Sequence, residues 1–263
     1  FAEAFRSYSF HDETILIKGA RIYGFERISS LLVRQLHQTR LEINMNAVAH
    51  NLNEFRHLLK PGTDIMAMVK AFAYGSGSAE IASLLEYNHV SYFAVAYADE
   101  GVALREAGIT SPIMVMNPDS GVMDLIIRND LEPEIYSMES YEAFSAVAVR
   151  NGLVHYPIHL KVDTGLHRLG FNPDEIEEVA GRIARQDHVR IVSVFSHLSA
   201  SDDPAHDDFT HRQASLLLSA AETLRLRRVG NRMTSRIDAE SVSSMTILSM
   251  PRPRPPAGGI PYL

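Results

Sequence analysis

The 263-residue chain has no cysteine. That absence excludes a disulfide scaffold, a cysteine-ligated zinc site and a thiol nucleophile. It fits a reducing compartment, and we expect a cytoplasmic protein. No apolar run reaches membrane-spanning length. The opening residues, FAEAFRSYSF, lack the basic stretch and apolar core of a secretory signal. They also lack an initiator Met, so we expect a chain cut from something longer. Positive charge is in deficit, with a formal net charge of -7. This argues against bulk attraction to nucleic acid or to an anionic membrane. The remaining composition, 46% hydrophobic and 22% charged, is that of a globular chain long enough for one large domain or two small ones.

From about residue 40, short apolar runs alternate with amphipathic stretches. DIMAMVK (64–70), SYFAVA (91–96), PIMVMN (112–117), EPEIYS (132–137), PIHLKVD (157–163) and VRIVSVFSHL (189–198) predict strands. Between them the pattern predicts helices over 78–88, 98–108, 120–130, 137–152 and 172–186, and a long one after 207. Ser78 and Asn172 stand where N-caps are expected. Strands separated by helices indicate parallel βαβ units, which leaves a doubly wound sheet or a β/α barrel. Both place their chemistry just beyond the strand ends. Lys70, Asn117, residues 161–165, Ser196 and His197 all fall there.

Three clusters could carry chemistry. In MVKAFAYGSGSAE, Lys70 ends an apolar run and a glycine-rich turn with Tyr74 precedes a helix. A lysine partly withdrawn from water offers a neutral amine, which can add to an aldehyde or act as a base. The bland alternative is a solvated strand-end lysine paired with a carboxylate. Glycines before a helix admit a phosphate, or simply make a turn. In KVDTGLHRLGF (161–171), Arg168 has the planar fork to clamp a carboxylate or phenolate. Lys161 and Asp163 alternate with apolar neighbours and would share one polar interior, unless the cluster is a structural ion-pair network. In SVFSHLSASDD (193–203), His197 could stack on a ring or be a satisfied core histidine. His206, Asp207, Asp208 and His211 match no metal-ligand spacing and read as a solvated loop and first helical turn.

In order and spacing, LEINMNAVAHNLNEFR, MAMVKAFAYGSG, KVDTGLHRLGF and FSHLSASDD resemble alanine racemase, across residues 39–228. The resemblance selects an α/β (β/α)8 TIM-type barrel, incomplete at its C-terminal end, and implies pyridoxal 5'-phosphate (PLP) as cofactor. It further implies that Lys70 holds PLP covalently and acts as a base. Tyr74 would contact the phosphate, Arg168 the phenolic oxygen and the substrate carboxylate, and His197 the pyridine ring. Lys161 would be a carbamylated lysine that orients Arg168. No metal is implied. The substrate would be alanine, with serine as the other candidate, in a head-to-tail homodimer. The D-alanine formed would supply peptidoglycan synthesis.

Residues 1–38 are similar to the closing segment of the ligase that joins D-alanyl-D-alanine to a peptidoglycan precursor. A remnant of such a domain, fused to the racemase, is therefore expected there. Residues 229–263 depart from the family. They end in MPRPRPPAGGIPYL, a proline-rich tail expected to be poorly ordered and to lack the last barrel strands. The family's C-terminal β domain, with its tyrosine acid, has no counterpart here, so low activity is expected. A PLP-carrier protein on the same barrel and a non-catalytic remnant are the competing readings.

Overall fold

A computed structural model describes residues 42–75, 77–226 and 246–248. The expected ligase-like segment, residues 1–38, lies outside them. The chain divides into two units, Phe1–Glu42 and Ile43–Leu263, and the second holds the sheet.

That unit opens with helix α1 (Met45–Leu58), whose N-cap Asn44 accepts from the Ala47 amide at 3.1 Å. Strand and helix then alternate: β1 (Ile65–Met68), a short helical turn α2 (Lys70–Gly75), α3 (Ser78–Tyr87), β2 (Tyr92–Val95) and α4 (Ala98–Glu106). They are followed by β3 (Ile113–Val115), α5 (Met123–Arg128), β4 (Glu132–Ile135), α6 (Met138–Arg150) and β5 (Tyr156–Lys161). α7 (Ile176–Ile183), β6 (Val189–Phe195), α8 (Asp207–Leu226) and β7 (Thr246–Leu248) complete the described elements.

All strand pairs are parallel, in the order β6-β5-β4-β3-β2-β1-β7. The sheet curls into part of a barrel, as the α/β reading requires. Successive strand side chains face opposite sides. Ile65, Ala67, Phe93, Val95, Ile113, Val115, Ile135, Ile158 and Leu160 pack outward into one core with the helices. Met66, Met68, Ala94, Met114 and Phe195 form a separate cluster on the other face. On that inner face β4 and β5 carry polar groups instead: Glu132, Glu134, His159 and Lys161. His159 is 1% exposed, and its ring nitrogens meet Ser193 Oγ at 2.6 Å and Glu132 Oε2 at 2.8 Å. Tyr92 donates to the same Glu132 oxygen and meets the His159 ring edge-on. A bulge in β6 brings Ser193 opposite His159.

Three local expectations change. Gly77, at φ +89, is the N-cap of α3, and Ser78 is its first helical residue. The positive φ of Gly77 is a conformation that L side chains rarely adopt, so the backbone there favours glycine. The helices expected from 120 and 172 begin as 3-10 turns, Ser120–Val122 and Pro173–Glu175. Asn172 does precede the second, and its amide donates to Glu175 Oε2 at 2.7 Å. Of residues 229–263 only Thr246–Leu248 are described, and they pair in parallel with β1. β-branched Thr246 and Ile247 suit a strand, and β1 offers a free edge for them. The proline-rich end lies outside the described residues. Among the described residues no helix is long and apolar enough to cross a membrane.

Arg105 ties two successive loops on the outside of the sheet. Its guanidinium donates to the carbonyls of Ile109 (2.9 Å), Ser111 (2.7 Å), Asn129 (3.2 Å) and Asp130 (2.9 Å). Removing it strands four acceptors. Arg105→Ala is therefore expected to lower unfolding free energy by about 2–4 kcal/mol, read as a lower urea midpoint at unchanged slope.

Candidate active site

The C-terminal end of β1 is built by a strained turn. Ala71, Phe72 and Ala73 have φ of 52, 53 and 50°, so α2 winds left-handed directly after Lys70. That conformation costs L-residues about 1–2 kcal/mol each and needs outside support. The support is visible. The Ala73 amide donates to Val69 O at 3.1 Å, and the Gly77 amide to Phe72 O at 3.0 Å. The Ala71 amide donates to Glu100 Oε1 at 2.5 Å. The other oxygen of Glu100 accepts from the Ala96 and Tyr97 amides at 2.8 and 3.2 Å. One carboxylate from α4 thus fixes both the turn after β1 and the loop after β2. Ala73 is buried while Phe72 points out, 75% exposed. Lys70, at the head of the turn, is half-buried and makes no ion pair with a described residue. Tyr74 belongs to the same turn.

The loop after β5 carries Arg168 and closes on itself. Phe171 N donates to Lys161 O, and Asp163 N to Phe171 O, both at 2.9 Å. Asp163 Oδ1 accepts from the amides of Gly165 (2.9 Å) and His167 (3.0 Å). Burial would raise the Asp163 pKa, but these amides hold it below the usual range. Asp163 therefore builds the loop, accepting from its backbone amides. Gly170 has φ +135, and a Cβ there would lie 2.5 Å from Asp163 N. Fully buried Gln213 of α8 fastens this loop to the next one. Its Nε2 donates to Thr164 Oγ1 (3.3 Å) and His197 O (3.2 Å), and its Oε1 accepts from Ser199 N (3.0 Å). Ser196 meets Thr164 at 2.7 Å.

Lys161 and Glu134 form a buried pair on the inner face. Nζ lies 3.1 Å from Oε1, with the lysine side chain 4% exposed and the glutamate 0%. Lys161 Nζ also sits 5.6 Å from the Phe195 ring centroid. No well-aligned hydrogen bond reaches either Glu134 oxygen. Burial pushes the Glu134 carboxyl up to about 7, against the opposing pull of Lys161 and Arg168. His197 stands exposed at the rim. What burial its ring has, followed by the charges of Arg168, Lys161 and Lys70, pulls its pKa below the ordinary value. The ring is thereby favoured in its neutral form, and all three cations lie within electrostatic reach of it. Arg168 itself is exposed and has no ion-pair partner among the described residues. His206, Asp207, Asp208 and His211 lie exposed on a 3-10 turn and the start of α8, away from this cluster in sequence and role.

The alanine racemase N-terminal domain model matches residues 43–239 of this chain. The chain belongs to the alanine racemase family. The alanine racemase of Synechocystis sp. PCC 6803 is 36% identical over 168 residues, 62% of this chain and 44% of the relative. The structure of Clostridium difficile 630 alanine racemase in complex with cycloserine superposes with a TM-score of 0.67. It is 30% identical, with 72% of this chain and 52% of that one covered. The histidine racemase of Leuconostoc mesenteroides subsp. sake NBRC 102480 is 29% identical, with a TM-score of 0.60, over 65% and 46% of the chains. The chain spans about half the length of the curated relatives it matches.

Within this alanine racemase domain, sequence reasoning named Lys70, Tyr74, Lys161, Arg168 and His197 and missed their supports. Glu134 had a signal, since two glutamates at i and i+2 in EPEIYS share one strand face. Glu100 and Gln213 sit in helices among other polar residues and have none.

Glu134 makes a pH prediction. Its folded pKa of about 7 lies above its ordinary 4.5. The folded state therefore binds more protons between those values, and this contribution to stability, full below 4.5, is lost as pH rises through about 7. Urea unfolding across that window is expected to show the decline in wild type and a flatter profile in Glu134→Gln.

Proposed function

We propose that this chain is the cofactor-binding portion of a PLP-dependent enzyme that interconverts L- and D-alanine. The observation that carries the reading is Lys70, without an ion-pair partner among the described residues, at the β1 rim on a braced left-handed turn, with His197 within electrostatic reach of Lys70, Lys161 and Arg168. PLP presents an anionic phosphate and an anionic phenolate, and the cations Lys70 and Arg168, reachable from the rim, suit both, while Lys161 lies buried and paired with Glu134. Bound PLP supplies an electron-withdrawing ring that makes the Cα–H of an attached amino acid acidic.

The chain's own residues do the rest. Lys70 Nζ is the covalent anchor and then holds or returns the Cα proton on one face of the substrate. Arg168, with a free planar fork, binds a phenolate or a substrate carboxylate. His197, kept neutral, lies against a ring without placing another positive charge beside it. Tyr74, carried on the braced turn, contacts phosphate. The opposite-face acid is a tyrosine from the C-terminal domain of a partner subunit, which makes the working form a homodimer. D-Alanine so formed serves peptidoglycan synthesis in the cytoplasm. The relatives that the chain matches are named alanine racemases, which favours alanine over serine. The histidine racemase among the similar structures makes the side-chain pocket the point to test.

Borohydride reduction of the chain with PLP, followed by peptide mapping, is expected to label residues 68–77, and Lys70→Ala to lose the label. A label elsewhere, or one that survives Lys70→Ala, overturns the anchor.

Racemisation of L-alanine by this chain is expected to be very slow even when the label forms. Turnover equal to that of a full-length relative would show that the second acid lies within the chain.

A further inference from the structure

The least expected group near the site is Glu134. A fully buried carboxylate is rare unless paired and hydrogen-bonded. Glu134 pairs with Lys161 at 3.1 Å, and no other described group hydrogen-bonds to either of its oxygens. Both side chains come from adjacent parallel strands, β4 and β5, on the inner face, so their approach is set by the sheet. The pair also lies at the base of the Arg168 loop. Lys161 is the last residue of β5, and the loop returns to it through the Phe171 amide. Arg168 in turn acts electrostatically on Glu134.

We propose that Glu134 is a positioning residue of this site, holding Lys161 unmodified at the base of the Arg168 loop. The chemistry of Lys161 points the same way. To carry a carbamate, its neutral amine must add carbon dioxide through a new N–C bond and release a proton, leaving an anion. Glu134 opposes the product: the carbamate would face it as a second buried anion at contact distance. The Phe195 ring face favours a cation there. This inference rests on the PLP reading of the site for its consequence, though not for the state of Lys161.

The test is 13C NMR of the full chain equilibrated with 13C-bicarbonate at mildly alkaline pH, with Lys161→Ala to assign any carbamate signal. Wild type is expected to show no Lys161-dependent carbamate, and Glu134→Gln to gain one, its lysine no longer held by a carboxylate. A Lys161-dependent signal in wild type overturns the proposal without any variant needing to fold. PLP affinity, read by quenching of intrinsic fluorescence, is expected to weaken about tenfold in Glu134→Gln and to recover in part in Glu134→Asp. Unchanged affinity in folded Glu134→Gln overturns the positioning role. If wild type fails to trap PLP on Lys70, the cofactor reading falls, while the NMR result still decides the state of Lys161.

Discussion

One buried ion pair sets the terms for this site. Lys161 and Glu134 meet diagonally from neighbouring strands, inside a sheet whose other face is covered by helices. A lone charge in that position would be expensive, and the pair is tolerable because each member cancels the other. From there the loop bearing Arg168 rises and folds back onto Lys161. Arg168 and Lys70 at the rim and the buried Lys161 then act together on the His197 ring. The inner face divides accordingly, with methionines under β1 to β3 and ionisable groups under β4 and β5.

The supports are as informative as the reactive groups. Glu100 holds a left-handed turn that Ala, Phe and Ala would not adopt unaided, and so sets the direction in which Lys70 leaves its strand. Gln213 fastens the loops after β5 and β6 with one side-chain amide. Both act from helices behind the rim, and each joins consecutive βα units. A side chain that reaches a reacting carbon must be held to a fraction of an ångström, and these bonds do the holding.

The chain spans about half the length of the curated alanine racemases it matches. What the described residues contain is the amine-bearing side of the proposed site and the exposed Arg168 at its rim. A second face of the chemistry belongs to the proposal that a partner's C-terminal domain completes it. The strand Thr246–Leu248, seated on β1, extends the sheet beyond the tail boundary expected at residue 228.

Much was legible in the residues alone. Alternating apolar runs and amphipathic stretches specify parallel βαβ units, because strand and helix periods differ and each buries one kind of face. Strand ends then locate Lys70, Lys161 and His197 in one rim, and motif order separates the barrel from the doubly wound sheet. Long-range pairing was not legible. Whether Asp163 turns inward or caps its own loop depends on Gly170 letting the backbone close to 2.5 Å of where a Cβ would stand. That Glu134 meets Lys161 depends on strand register, and that Glu100 reaches Ala71 depends on how α4 docks beside the turn. Local sequence determines which groups are available and near which strand end. Only the packed sheet decides which charges are left facing each other, since that follows from contacts between residues far apart in the chain.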